Sequence, residues 1–303
     1  MLPRSFQYFA PTTVEDASRL LIEHEGDAKV LAGGMSLIPL MKLRLASPGF
    51  VVDINRVRGL DYIKESDGGK SLLIGPLVTH HALESSSLVR KVAPIISETA
   101  GLIGDRQVRN LGTIGGALAH SDPSGDWGAA IIALRGEVKT FGPAGERTIS
   151  IDDFLVDTFT SALKEGELIT QVSVPIPPAA GSGGAYLKLE RKAGDFATVG
   201  VAAQLTLEKR GDASGCVSAG IGLTAVGSKN LRASNAERWL VGKRLTKDVV
   251  AEASAAAAKE CSPSDDPLRG SAKYKRDMVN VFTRRAIELA MSRALGRRGR
   301  GTN

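Results

Sequence analysis

Cysteine is almost missing from this chain, which has two in 303 residues, Cys216 and Cys261. An iron–sulfur cluster needs four thiolates, and these two do not stand as Cys-x-x-Cys, so the chain cannot hold one itself. Histidine is also scarce, and the four present show no ligand spacing, which argues against a structural metal. Aromatic residues make up 5% of the chain, too few for the basic and aromatic interleaving of a nucleic-acid surface. No run comes near the ~20 apolar residues of a membrane span. The opening Met1-Leu2-Pro3-Arg4-Ser5-Phe6 lacks the charged and then apolar order of a secretion signal, so the expectation is a cytoplasmic protein. Absent too are Gly-x-Ser-x-Gly, His-Glu-x-x-His and the Walker loop, which removes motif support for most hydrolases and nucleoside triphosphatases.

What is there is the composition of a soluble globular protein: 43% hydrophobic and 24% charged residues, with a mean hydropathy of -0.03. The length predicts about two domains. Net charge is +6, and the excess sits at one end, where residues 269–303 carry ten basic side chains against two acidic ones. A charge run of this kind reads as a solvated tail. A nucleic-acid or anionic-membrane binder would owe everything to that stretch.

Along the chain, Thr12 and Thr13 each stand three residues before an acid, Glu15 and Asp16, which predicts a capped helix start. Val14, Ala17, Leu20 and Leu21 recur at helical spacing, and Gly26 ends the run. Residues 29–32, 50–54 and 71–74 read as strands, 88–103 as a helix interrupted at Pro94, and 109–116 as a glycine-punctuated turn. A helix over 127–134 and strands over 138–141 and 168–174 follow. Pro175-Ile176-Pro177-Pro178 and the 179–184 linker break the pattern, since neither helix nor central strand continues easily there. The domains are therefore placed at 1–178 and 179–295, with 296–303 as a disordered basic tail. In the second domain, 185–191, 197–209 and 216–226 read as an antiparallel meander with Gly-Asp turns. Helices at 236–241, 247–260 and 277–295 complete it, the last with Met278, Phe282, Ala286 and Leu289 as a core-facing stripe.

The chemistry-bearing candidates are two glycine turns. Ala32-Gly33-Gly34-Met35-Ser36 follows a strand, and adjacent glycines there let backbone N–H groups turn inward around a concave site. Thr113-Ile114-Gly115-Gly116-Ala117 repeats the device. Two nests, each donating several N–H bonds, suit a pyrophosphate. Neither is Gly-x-Gly-x-x-Gly, so this is no Rossmann fingerprint, and either turn taken singly reads first as an ordinary bend.

These residues resemble the FAD-binding medium subunit of the molybdenum hydroxylases, the xanthine dehydrogenase and aerobic carbon monoxide dehydrogenase family. Four stretches carry the resemblance, in order over residues 1–295. They are Ala32-Gly33-Gly34-Met35-Ser36-Leu37-Ile38-Pro39 with Met41-Lys42-Leu43-Arg44-Leu45; Gly112-Thr113-Ile114-Gly115-Gly116 with His120-Ser121-Asp122-Pro123 and Asp126; Ala185 to Ala197; and Ile221-Gly222-Leu223-Thr224. The resemblance implies an α+β fold. Its N-terminal FAD-binding domain would be of the vanillyl-alcohol-oxidase (PCMH) type in two α/β subdomains, followed by a three-stranded antiparallel sheet with a helix bundle.

It also implies FAD between the domains, held by the backbone of Ala32, Gly33, Gly34, Met35, Ser36 and Leu37 and of Thr113, Ile114, Gly115, Gly116 and Ala117. Asp122 and Asp126 match positions near the ribityl and adenosine end, with helix capping before Trp127 as the other reading. Tyr186 and Lys188 match the strand beside the isoalloxazine, where an aromatic plane covers the ring and an ammonium favours the reduced anionic flavin. Strand alternation places both on one face. A plain surface lysine is the other reading of Lys188. Many relatives carry His at Met35 and Asn at Ala117, and because the turns act through backbone, FAD binding is expected to survive both departures. No catalytic or metal-ligating residue is expected.

The implied role is electron transfer without substrate chemistry on this chain. A large subunit with the molybdenum cofactor oxidises the substrate, a small subunit with two [2Fe-2S] clusters relays electrons, and this chain's FAD passes them to an acceptor. The assembly would be a dimer of heterotrimers, cytoplasmic or at the inner face of the membrane. Carbon monoxide, aldehydes, purines and other N-heterocycles all remain open as substrates, and quinone, oxygen and NAD as acceptors. A stand-alone FAD oxidoreductase is the alternative; it would show a catalytic base or a covalent His or Cys near the glycine turns, where Met35 stands.

Overall fold

The structure is a computed structural model and describes residues 2–208 and 215–296. Among the described residues, three sheets and a small two-stranded ribbon organise the chain. The first unit comprises β1 (Gln7–Phe9), α1 (Val14–Glu23), β2 (Ala28–Leu31), α2 (Leu37–Lys42) and β3 (Phe50–Asp53). Its strands pair in parallel in the order β1-β3-β2. The predicted helix start is capped as its sequence requires, with Asp16 N donating to Thr13 Oγ1 at 3.1 Å. Ala17 and Leu21 of α1 pack with Val52 and Ile54, closing a small core over the sheet.

The second unit runs through β4 (Ile63–Glu65), β5 (Ser71–Ile74), α3 (His80–Ser85), α4 (Ser87–Val92), α5 (Pro94–Gly101), α6 (Arg106–Leu111), α7 (Ile114–His120) and α8 (Asp126–Ala133). It continues with β6 (Glu137–Gly142), β7 (Gly145–Ser150), α9 (Ile151–Phe154), β8 (Leu155–Asp157), β9 (Thr160–Ser161) and β10 (Leu168–Pro175). Five of these strands form an antiparallel sheet in the order β4-β5-β10-β6-β7. Pro94 divides the predicted helix by opening α5, at a position whose N–H has no partner to lose. The turn expected over 109–116 is instead mostly helical. Asp105 accepts from Val108 N at 2.9 Å and Thr113 from Gly116 N at 3.1 Å, so two side-chain caps start α6 and α7 despite the glycines.

The third unit is the expected antiparallel meander, β11 (Ser182–Leu189), β12 (Val199–Leu207) and β13 (Cys216–Thr224), with a two-residue edge strand, β14 (Leu231–Arg232), as a fourth. The helices α10 (Ser234–Leu240), α11 (Lys247–Glu260) and α12 (Ala272–Ala294) pack on it. β11 begins inside the stretch read as linker. A Cβ on Gly183 would lie 2.1 Å from the Ala290 carbonyl oxygen, so only a glycine strand admits the backbone of α12 there. Met278, Phe282 and Leu289 pack around buried Ala286 against this core, as the stripe predicted. The expected end of a strand at Lys209, the Gly211-Asp212 turn and residues 297–303 of the basic tail lie outside the described residues. Within the described part of the basic stretch, Arg293 pairs with Glu98 at 2.7 Å, Arg269 with Asp195 at 3.4 Å and Lys273 with Asp277 at 3.0 Å.

Candidate functional site

The first glycine turn joins β2 to α2, and the second opens α7. They touch each other. A Cβ on Gly33 would lie 2.1 Å from the Leu111 carbonyl oxygen and 2.8 Å from Gly112 Cα, and one on Gly116 would lie 3.7 Å from Ala32 Cβ. Beside them opens a cavity of about 540 Å³ whose far wall includes Leu168 and Ile169 of β10. That volume is in the range of small-molecule and cofactor sites. Every residue of the two turns lines it except Ile114, which points into the hydrophobic core.

The two turns contribute different chemistry. In the first, Ala32 O accepts from Asn55 Nδ2 at 3.0 Å, Gly34 O from Ile38 N at 3.0 Å and Ser36 O from Leu40 N at 3.2 Å. Three of the five carbonyls are thus tied back, while the N–H groups of Gly33, Gly34, Met35 and Ser36 have no acceptor among the described residues. Gly34 stands at φ 70, a left-handed conformation that reverses the chain and gathers these donors.

The second turn is a poorer nest of donors than the first, which corrects the expectation drawn from its glycines: of Thr113 to Ala117, only the Thr113 N–H has no acceptor among the described residues. Ile114 N donates to Val78 O (3.1 Å), Gly115 N to Pro76 O (3.0 Å), Gly116 N to Thr113 Oγ1 (3.1 Å) and Ala117 N to Thr113 O (3.0 Å). Helix capping and the neighbouring backbone have claimed them. Its glycines serve shape instead. A Cβ on Gly115 would meet Pro76 Cβ at 2.4 Å, and Gly116 leaves the wall bare.

The aspartate, tyrosine and lysine candidates do not line this cavity. Asp122 accepts from Ser124 N at 2.8 Å in an Asx turn before α8, and the N-cap of α8 is Gly125, so neither Asp122 nor Asp126 caps the helix. Tyr186 and Lys188 do share one face of β11, and both reach Asp126. Tyr186 Oη donates to Oδ1 at 2.5 Å; Lys188 Nζ donates to Oδ2 at 3.0 Å and to Leu102 O at 3.0 Å. The Lys188 side chain is 2% exposed, which overturns the surface-lysine reading, and buried Tyr186 presents no open ring plane. A carboxylate in the junction of the second and third units needs such partners. Burial pushes the Asp126 carboxyl up despite the pull of Lys188, and burial beside Asp126 lifts the Tyr186 phenol well above its ordinary value.

Two features of the wall escaped the sequence. His80, 4% exposed, lies against Gly112 and accepts from Trp127 Nε1 at its Nδ1 (3.1 Å). Burial, helped by the Arg109 guanidinium, pushes its imidazole down to about 4, so it is neutral at ordinary pH. His120 and Phe159 form a tilted ring pair with centroids 5.0 Å apart on the same wall. Nothing in the linear order links position 80 to 127 or 120 to 159.

Comparison with known proteins bears on this geometry. Residues 4–177 match the family described as the FAD binding domain in molybdopterin dehydrogenase. The chain belongs to that family. Residues 184–290 match the CO dehydrogenase flavoprotein C-terminal domain, so both halves of this FAD-binding family member are accounted for. Over 97% of its length the chain is 42% identical to the carbon monoxide dehydrogenase medium chain of Afipia carboxidovorans, covering 99% of that protein. It is 38% identical to the 6-hydroxypseudooxynicotine dehydrogenase complex subunit alpha of Paenarthrobacter nicotinovorans, over 97% of each. The solved structure of carbon monoxide dehydrogenase from Hydrogenophaga pseudoflava matches with a TM-score of 0.92 at 43% identity, covering 97% of this chain and 99% of that one. FAD is thereby the cofactor of this chain, and the fold implied by the resemblance stands. The residues fit the cofactor: those that carry the unclaimed amides line a cavity of cofactor size, and the adjoining turn is kept bare by glycine.

Proposed function

We propose that this chain is the electron-transferring flavin subunit of a carbon monoxide dehydrogenase-type molybdenum hydroxylase. The observation that carries the reading is the contact of the two glycine turns around one cavity, with four unclaimed amides on one side. The amides of Gly33, Gly34, Met35 and Ser36 would hold the pyrophosphate, and Asn55 fixes their turn by donating to Ala32 O at 3.0 Å and Asp53 Oδ1 at 2.7 Å. Thr113, Gly115, Gly116 and Ala117 shape the facing wall. When bound, FAD supplies a carrier that takes up electrons singly and releases them as a pair, which suits the step between iron–sulfur clusters and a two-electron acceptor. The two cysteines are too few for the clusters, which fits the resemblance: it implies a small subunit that holds them and a large molybdenum subunit that oxidises the substrate. The assembly is a dimer of such heterotrimers. Among the described residues no helix is long and apolar enough to cross a membrane.

Carbon monoxide is the first substrate to test, on the 42% identity to a carbon monoxide dehydrogenase medium chain. The 38% identity to a subunit of a 6-hydroxypseudooxynicotine dehydrogenase complex favours, as a second reading, an enzyme of N-heterocycles. Purified chain offered FAD should bind it with a flavin spectrum, and Gly34→Val combined with Gly116→Val should abolish binding. Flavin retained by that double variant overturns the loop assignment. In the complex with its partner subunits, substrate should bleach the flavin absorbance only when the small subunit is present; bleaching without it overturns the electron-transfer role.

A further inference from the structure

We infer that His80 is a cofactor-binding residue, whose Nε2–H donates a hydrogen bond to a diphosphate oxygen of the bound dinucleotide from the side of the second glycine turn. The inference rests on the FAD reading of this cavity and adds a residue to it.

The chain of observation begins with the spent amides. Ile114, Gly115, Gly116 and Ala117 all donate within the protein, so among the described residues the second turn offers only the N–H and hydroxyl of Thr113 beside the four free amides of the first. A diphosphate seated against both turns would find few donors for the oxygens on the side of the second, which is costly in a site shielded from water. His80 stands in that wall. It lines the cavity next to Gly112 and Thr113, and its Nε2 is so near Gly112 that a Cβ there would lie 2.8 Å away.

The protonation of the ring follows from its partner. An indole N–H is a donor only, so Nδ1 of His80, taking Trp127 Nε1–H at 3.1 Å, must be the unprotonated acceptor. The proton of the neutral imidazole is therefore on Nε2, and no acceptor for it is found among the described residues. Trp127 is 2% exposed on α8 and His80 4%, so ring and tautomer are held before any ligand arrives. A donor held in this way needs no reorganisation on binding. It is also neutral, which lets the cavity take the diphosphate without a buried cation that would have to be desolvated when the site is empty.

Two amide substitutions separate the atoms. In His80→Asn the short side chain keeps an acceptor near Trp127 and loses the donor at Nε2; in His80→Gln the longer amide keeps a donor near Nε2. Equilibrium titration of the purified chain, read by flavin fluorescence, should show FAD bound about tenfold more weakly by His80→Asn and within about threefold of the wild type by His80→Gln. ADP, which carries the diphosphate without the isoalloxazine, should be weakened by His80→Asn to the same extent as FAD. FAD affinity unchanged in His80→Asn, or ADP affinity unchanged while FAD is weakened, overturns the inference. Failure of the wild-type chain to bind FAD at all would overturn the underlying reading instead. Should His80→Asn not fold, NMR of the wild-type holoprotein with isotope-labelled histidine decides: the inference requires an Nε2–H tautomer whose proton exchanges slowly with FAD bound, and an Nδ1–H tautomer overturns it.

Discussion

Gly33 and Leu111 meet backbone to backbone, since a Cβ on Gly33 would lie 2.1 Å from the Leu111 carbonyl oxygen. No rotamer relieves a clash between two backbones. Gly33→Ala must therefore part the two glycine turns, and it should destabilise the chain by about 1–3 kcal/mol while abolishing FAD binding. Thermal unfolding and flavin content of the purified variant check this; a variant that holds FAD normally would show that the contact is dispensable.

The glycines of the second turn should respond differently from one another. A Cβ on Gly115 meets Pro76 Cβ at 2.4 Å and Pro76 Cα at 2.8 Å, deep against β5's continuation, whereas on Gly116 the nearest atom is Thr113 Oγ1 at 2.9 Å. Gly115→Ala should lower the melting temperature whether or not FAD is present. Gly116→Ala should leave the melting temperature of the free chain nearer the wild type and weaken FAD more, because its methyl narrows the gap to Ala32. Comparing both variants with and without FAD gives the answer, and equal losses would contradict it.

Asp126 is the centre of the junction between the second and third units. Asp126→Asn leaves the buried ammonium of Lys188 without its counter-charge and should cost about 3 kcal/mol, the low end for such a break because Glu190 stands 3.7 Å from Lys188 Nζ. Tyr186→Phe removes one hydrogen bond to Asp126 and should cost about 1 kcal/mol. Adding Lys188→Met to Asp126→Asn should recover part of the loss. Melting temperatures of the three variants test the order, and a double variant worse than Asp126→Asn would sink it.

Acid should weaken the fold through His80. Its imidazole is held near 4 in the folded chain against 6.5 when unfolded. Between those values the unfolded chain takes a proton that the folded chain refuses, so the stability contributed by the neutral ring is complete above pH 6.5. It is lost as pH falls toward 4, by up to about 3 kcal/mol. The melting temperature should fall less steeply over this window in His80→Gln than in the wild type. Parallel slopes would remove His80 as the cause.

Much of this was readable in linear order because local chemistry carries it. Thr13 caps α1, Pro94 opens α5, and the alternation of Tyr186 and Lys188 puts both on one face, each a consequence of bonds or geometry within a few residues. The amide of Gly115 is not free, although nothing nearby in the chain claims it, because Pro76 accepts it from a segment brought alongside by the sheet; that of Gly116 goes to Thr113 Oγ1 three residues earlier, a local cap that a reading of the glycines alone overlooks. Lys188 carries a surface reading beside the flavin one because lysines are usually exposed, and only the arrival of Asp126 from α8 makes its burial tolerable.

The sequence by itself determined that two glycine turns exist, that the chain cannot hold an iron–sulfur cluster, and that a meander and three helices follow a proline break. Those are properties of residue types and short spacings. Tertiary structure alone decided that Gly33 rests on Leu111, which turn keeps its amides free, and that His80 is locked by Trp127. Each of these depends on which distant backbone groups compete for the same hydrogen bond, and that competition is settled only when the chain has packed.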